Sequence, residues 1–170
     1  MQERRPRRLP LRLIPARPAA MAGRYLEDFH AGEVIELGSR TLSAEEIIAF
    51  ARQFDPQYFH IDPEGAKAGP FGGLIASGWH TAAIYMRLMV DQFISGMAES
   101  MGSPGVDGIR WLKPVRPGDT LKGRITIVDV IPSKSHANRG TLKTLGEVVN
   151  QHGEVVMQIN AAGFFARRPT

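Results

Sequence analysis

Asp55 and His60 stand five residues apart in Asp55-Pro56-Gln57-Tyr58-Phe59-His60, where the proline restricts its own backbone and that of the residue before it. A tight loop over this stretch brings a carboxylate and an imidazole to one spot. Such a pair suits proton transfer, because imidazole titrates near pH ~6.5 and a carboxylate responds to burial and to its neighbours. Moving water onto or off a double bond conjugated to a carbonyl needs that kind of sharing. One group takes a proton from water, and another controls the proton on the carbon beside the carbonyl. The same residues have a plainer reading, in which Asp55 turns the chain before Pro56 and His60 fills a half-buried position. Spacing alone leaves both open.

The flanking sequence predicts what must hold the pair. Ser43-Ala44-Glu45-Glu46 is a capping box, with the serine hydroxyl placed to accept from the third helical N–H and Glu46 placed to reach back. Ile47, Phe50, Ala51 and Phe54 then fall at i, i+3, i+4 and i+7, one face of a short helix that Pro56 ends at about Phe54 or Asp55. Asp62-Pro63 predicts a second, one-turn helix through about Ala68, with aspartate as cap and proline in the first position. Residues 55–61 are therefore expected as a constrained loop between two helices. Gly69-Pro70-Phe71-Gly72-Gly73 is a further loop.

From about Gly78 to Ile94 the sequence is apolar almost all round, with only His80, Arg87 and Asp91 as a polar stripe. A helix of that kind is expected to be buried on most sides. Val34 to Leu37 reads as a short first strand. Ile109 to Lys113, Leu121 to Ile131, Thr141 to Asn150 and Glu154 to Ala166 read as later ones, and Leu121, Gly123, Ile125 and Ile127 alternate with polar residues. Pro117-Gly118-Asp119 and Gln151-His152-Gly153 supply turns, so consecutive strands are expected to pair antiparallel. Helical periods in the first half and strand periods in the second give an α+β class. The simplest arrangement is one curved antiparallel sheet wrapped around one long buried helix.

Three stretches carry a family resemblance. They are Phe54-Asp55-Pro56-Gln57-Tyr58-Phe59-His60-Ile61-Asp62-Pro63, Phe71-Gly72-Gly73-Leu74-Ile75-Ala76-Ser77-Gly78-Trp79-His80-Thr81, and Trp111-Leu112-Lys113-Pro114-Val115-Arg116-Pro117-Gly118-Asp119-Thr120-Leu121. Together, over Tyr25 to Arg168, the chain resembles the MaoC-like dehydratase family, which includes the (R)-specific enoyl-CoA hydratases and has the hot-dog fold. The first stretch is the specific one: the family pattern is Asp-x-Asn-Pro-x-His, and the resemblance implies that Asp55 and His60 are the catalytic pair. Gln57 and Tyr58 depart from that pattern. Ser77 and Trp79 stand where many hydratases have His and Met around the matching glycine.

The resemblance also implies a backbone donor for the substrate's carbonyl oxygen at the start of the central helix. Free N–H groups near Gly78, Trp79 and His80, together with the helix dipole, suit an oxyanion. Ser77, Gly78 and Trp79 are accordingly the oxyanion and substrate-binding candidates, while Trp79 and His80 also read as pocket wall and polar stripe. A second reading of Gly78 is a tight entry that lets the helix pack closely. The implied activity is an enoyl-CoA type hydratase or dehydratase acting on an acyl-CoA or acyl-carrier thioester. It needs no cofactor beyond the coenzyme A of its substrate, and the chain is expected as a homodimer or higher homo-oligomer.

Two rivals share the fold. A thioesterase is expected to carry an acid on the central helix, and Asp91 lies far along it. A non-catalytic acyl-thioester-binding subunit is kept open by Gln57, Tyr58 and Ser77. A metal site from His60, Asp62 and His30 or His80 has the residue types without a short ligand motif, so no metal is expected.

Composition bounds the rest. A chain of 170 residues is expected to form one domain, residues 21–170, with a proper core. It has no cysteine, which excludes disulfides and thiolate chemistry and fits a cytoplasmic location. The net charge of +4 is concentrated in residues 1–20, where six arginines face one acid. What remains is close to neutral, so neither nucleic acid nor membrane is implied as a partner. That Pro/Arg-rich tail is read as a disordered basic arm, a mis-assigned start ahead of Met21, or a targeting segment.

Overall fold

A computed structural model describes residues 23–96 and 99–169; the 1–20 tail lies outside them. The order is β1 (Val34–Thr41), α1 (Ala44–Phe54), α2 (Tyr58–Ile61), α3 (Pro63–Lys67), α4 (Gly78–Gln92), β2 (Gly105–Trp111), β3 (Thr120–Pro132), β4 (Arg139–Val149) and β5 (Val155–Ala166). Short 3₁₀ turns at Leu26–Asp28 and Ile94–Gly96 complete it.

The five strands form one antiparallel sheet in the order β1-β3-β4-β5-β2. The predicted alternation holds on β3, where Leu121, Gly123, Ile125 and Ile127 are buried. The side chains of Leu121, Ile125 and Ile127, with Leu37, Leu142, Val148, Met157 and Ile159 from the other strands, make the core with Ile84, Tyr85, Leu88 and Phe93 of the α4 region. At Gly123 an added Cβ would lie 3.2 Å from Leu37 and 3.3 Å from Leu88, so the glycine lets the helix sit close to the sheet.

Two expectations need correction. Consecutive strands do not all pair: β2 lies at the far edge beside β5, whereas β3 pairs β1 and β4. The Pro114 to Asp119 connection carries the chain across the sheet rather than round a hairpin, and the turn residues gave no sign of that distance. Residues 55–61 are not all loop, because Tyr58–Ile61 close one helical turn. The helix α4 is covered on most sides, as expected, but one strip of it stays open. His80 of its polar stripe is buried, while Trp79 and Met86 are 58% and 47% exposed. The sheet and α1 cover two sides of α4 and leave an apolar third, next to the free edge of β2.

The capping box that starts α1 is present in full. The Ser43 hydroxyl accepts from the Glu46 N–H at 3.2 Å, and the Ser43 N–H donates to the Glu46 carboxylate at 3.1 Å. Caps of this kind contribute about 1 kcal/mol each. This one fixes where α1 begins, and hence, eleven residues on, where Asp55 ends it. Asp62 caps α3 in the same manner, its side chain accepting from the Glu64 N–H at 3.1 Å.

Candidate active site

Asp55 closes α1 in a non-helical conformation, its N–H donating to the Ala51 carbonyl at 2.8 Å. Pro56 forces that exit, and the Gln57 N–H then donates back to the Asp55 carbonyl at 2.8 Å. The chain turns at once into α2, which carries His60 on its buried side. Helix end, proline and helical turn together reverse the two side chains toward each other. His60 Nε2 lies 3.4 Å from Asp55 Oδ2.

Partners around the pair fix its orientation. His60 Nδ1 lies 2.8 Å from the Ile75 carbonyl oxygen. A carbonyl can only accept, so Nδ1 carries the hydrogen, and in the neutral ring Nε2 is left as an acceptor. Ile75 is held in place from both sides: its N–H donates to the Phe59 carbonyl at 3.1 Å, and the next N–H, of Ala76, donates to Val115 at 2.8 Å. Asp55 accepts from Gln57 Nε2 at Oδ1 (2.8 Å) and from Ser77 Oγ at Oδ2 (2.7 Å). The amide of Gln57 and the hydroxyl of Ser77 hold this carboxyl below the usual carboxylate range. Partial burial opposes them, and the charge of His60 adds to them.

His60 forms part of the wall of a cavity of about 390 Å³, together with Phe59, Ile75, Gly78, Thr81 and Trp111. Asp55 stands beside this wall rather than in it. At the start of α4 the Ser77 hydroxyl accepts from the Trp79 N–H at 3.2 Å, and the His80 and Thr81 N–H groups donate to the Ser77 carbonyl. Gly78, first in the helix and on the cavity wall, finds no acceptor for its N–H among the described residues. That places one free backbone donor at the positive end of a 15-residue helix.

The other two candidates sit elsewhere. Ser77 is fully buried and engaged with Asp55 and Trp79, and Trp79 packs on Trp111 outside the cavity wall. The Ile75 carbonyl and Trp111 escaped the sequence reading. The first is a backbone atom with no sequence signature; the second lay in a quoted motif whose role spacing does not reveal. Among the described residues no three His, Asp or Glu side chains converge as metal ligands, and no helix is long and apolar enough to cross a membrane.

Residues 28–149 match the family model described as MaoC like domain. The chain belongs to the MaoC-like family. Its curved sheet about α4 is the hot-dog fold. Among solved structures, the MaoC-like dehydratase from Rhodospirillum rubrum is 41% identical with a TM-score of 0.81, over 87% of this chain and 100% of that one. The uncharacterized protein YdeM of Bacillus subtilis is 36% identical over 127 residues, 74% of this MaoC-like chain and 87% of the relative. The 3-hydroxyacyl-thioester dehydratase Z of Mycobacterium tuberculosis is 32% identical over 109 residues, 64% of this chain and 72% of the relative.

Proposed function

We propose that this chain is a hydro-lyase that reversibly adds water to a 2-enoyl thioester, with Asp55 and His60 as its acid-base pair. The observation that carries this reading is the approach of Asp55 Oδ2 and His60 Nε2 to 3.4 Å, with Nδ1 committed to the Ile75 carbonyl. Two acceptors facing one point hold a water by both of its hydrogens. The water oxygen bonds to the β-carbon while one proton passes to Nε2, and the π electrons move toward the thioester carbonyl. The Gly78 N–H meets the negative charge on that oxygen. His60, now cationic beside the Asp55 anion, returns the proton to the α-carbon, and the reverse sequence removes water. Asp55 is a poor base in this scheme, because two donors already stabilise its charge. It orients the water and stabilises the imidazolium.

The substrate is an acyl thioester of coenzyme A or of a carrier protein. The names of relatives support this class, and the cavity wall of Phe59, Ile75, Trp111 and Val115 is apolar enough to take an acyl group. A second copy of the chain is expected to cover the free edge of β2 and the exposed Trp79 and Met86, since an unpaired edge beside an apolar strip invites pairing. The thioesterase reading is not favoured, because Asp91 is thirteen residues beyond Gly78, roughly 20 Å along α4, and is paired with Arg87 at 2.8 Å.

The test follows enoyl-thioester absorbance over a panel of acyl groups. Loss of absorbance without release of thiol is the expected result. Thiol release would favour the thioesterase, and silence across the panel would favour a binding subunit.

A further inference from the structure

Trp111, the last residue of β2, turns its indole onto the first turn of α4. Nε1–H donates to the Gly78 carbonyl at 2.8 Å. The ring lies so close that a Cβ on residue 78 would meet Cε2 at 2.6 Å, Cδ2 at 2.7 Å and Nε1 at 2.8 Å. Gly78 is not in a left-handed conformation. Its lack of a side chain is required here by space alone. Trp79 packs edge-on against the same indole, with ring centroids 5.3 Å apart at 74°.

A glycine at the first position of a helix is the place where backbone is least constrained by its own residue. An oxyanion donor, by contrast, acts only when held to within tenths of an ångström, and a misplacement of about 1 Å costs ~10²-fold. The Ser77 hydroxyl secures the Trp79 N–H and the Ser77 carbonyl accepts from the His80 and Thr81 N–H groups, but the glycine has no side chain to add a restraint of its own. Trp111 supplies that restraint twice, by a hydrogen bond to the carbonyl and by a flat ring against the Cα.

We propose that Trp111 is a positioning residue that fixes the Gly78 peptide at the start of α4, and so aims the Gly78 N–H into the cavity beside His60. The proposal rests on the reading of that N–H as the oxyanion donor. Because Trp111 belongs to the sheet's free edge strand, it also ties the geometry of the donor to whatever pairs with β2.

Trp111→Phe keeps an aromatic ring and removes the indole N–H. Its kcat on an enoyl thioester is expected to fall ~10-fold with KM within ~2-fold, the split expected when only transition-state contacts weaken. Gly78→Ala alone is expected to cost ~10²-fold; in a Trp111→Leu background, where the added methyl has room, it should cost under ~3-fold. Unchanged kcat in folded Trp111→Phe, or an equal cost of Gly78→Ala in both backgrounds, would overturn the proposal. Amide hydrogen exchange of residues 79–82 reads the restraint without any substrate. Faster exchange in Trp111→Phe than in the parent is expected, and equal exchange counts against the restraint. A parent protein inactive on every thioester would instead sink the hydro-lyase reading, and the exchange experiment would still decide whether Trp111 holds the helix start.

Discussion

His60 and His80 are buried to the same depth, 5% and 6% exposed, yet they sit in opposite kinds of surroundings. His60 has an acceptor at each ring nitrogen, the Ile75 carbonyl at Nδ1 and the Asp55 carboxylate near Nε2. His80 lies flat on Phe50, centroids 4.5 Å apart and rings nearly parallel, and its Nδ1 has no partner among the described residues. Burial pushes its pKa down; the Glu46 carboxylate pulls it back in part and the Arg40 guanidinium lowers it further. A histidine that cycles between neutral and charged forms needs somewhere for both protons to point. A histidine that fills space needs only its face, so partners separate the two roles where burial does not.

The comparison breaks most sharply at the pair. Asp55→Asn and His60→Ala are each expected to lower turnover by ~10²- to 10⁴-fold, the second by losing the positioned proton-transfer group and the first by losing the charge that orients the water and stabilises the imidazolium. The melting temperature of Asp55→Asn should fall only slightly, because the amide keeps the size of the carboxylate and only the contribution of its charge is lost. If both residues act on one water, the double mutant should be scarcely worse than the worse single one. Full activity in a folded Asp55→Asn protein would end the assignment. So would losses that multiply independently.

A smaller effect sharpens the account of why Asp55 is anionic. Gln57→Leu removes the first of the two donors that depress its pKa, so that pKa must rise. The acid limb of kcat/KM should therefore move to higher pH, with the plateau changed less than ~5-fold. Stability follows the same sign. A carboxylate depressed in the folded state contributes stability that is present above its unfolded pKa, near ~3.9, and is lost as pH falls through the folded value. The substitution removes part of that contribution. An acid limb that does not move would mean that a group other than Asp55 sets it.

What was legible in the sequence follows from where local rules were in control. The capping box at Ser43 to Glu46, the exit at Pro56 and the cap at Asp62 are short-range chemistry. They ended α1 at Asp55 and began α3 after Asp62, which left Asp55 and His60 close together on the short stretch between; that Tyr58–Ile61 closes a helical turn was not legible. Alternation on β3 showed its buried face for the same reason. The position of β2 beside β5 was not legible, because a long connection leaves no periodic signal. The open strip at Trp79 and Met86 was not legible, because apolar residues read the same whether a sheet or a second chain covers them. The Ile75 carbonyl carries no side-chain signature at all, though it decides which nitrogen of His60 is free.

The smallest expected effect lies at His80, where the comparison makes a prediction about stability rather than rate. Because burial lowers its folded pKa, the unfolded chain binds a proton that the folded chain refuses. Stability contributed by the neutral ring is thus fully present above the unfolded pKa, near ~6.5, and declines as pH falls through that value toward the folded one. His80→Phe keeps a flat ring against Phe50 and removes an unpaired buried nitrogen, a gain on the order of 1 kcal/mol that mild overpacking offsets. At pH ~7.5 the melting temperature should consequently change little, and turnover should stay within ~3-fold. The decline in melting temperature between pH ~7 and ~5 should be shallower than in the parent. An unchanged decline would show that His80 is not the group responsible. A loss of turnover beyond ~10-fold in folded His80→Phe protein would bring His80 into the chemistry and erase the distinction between the two histidines.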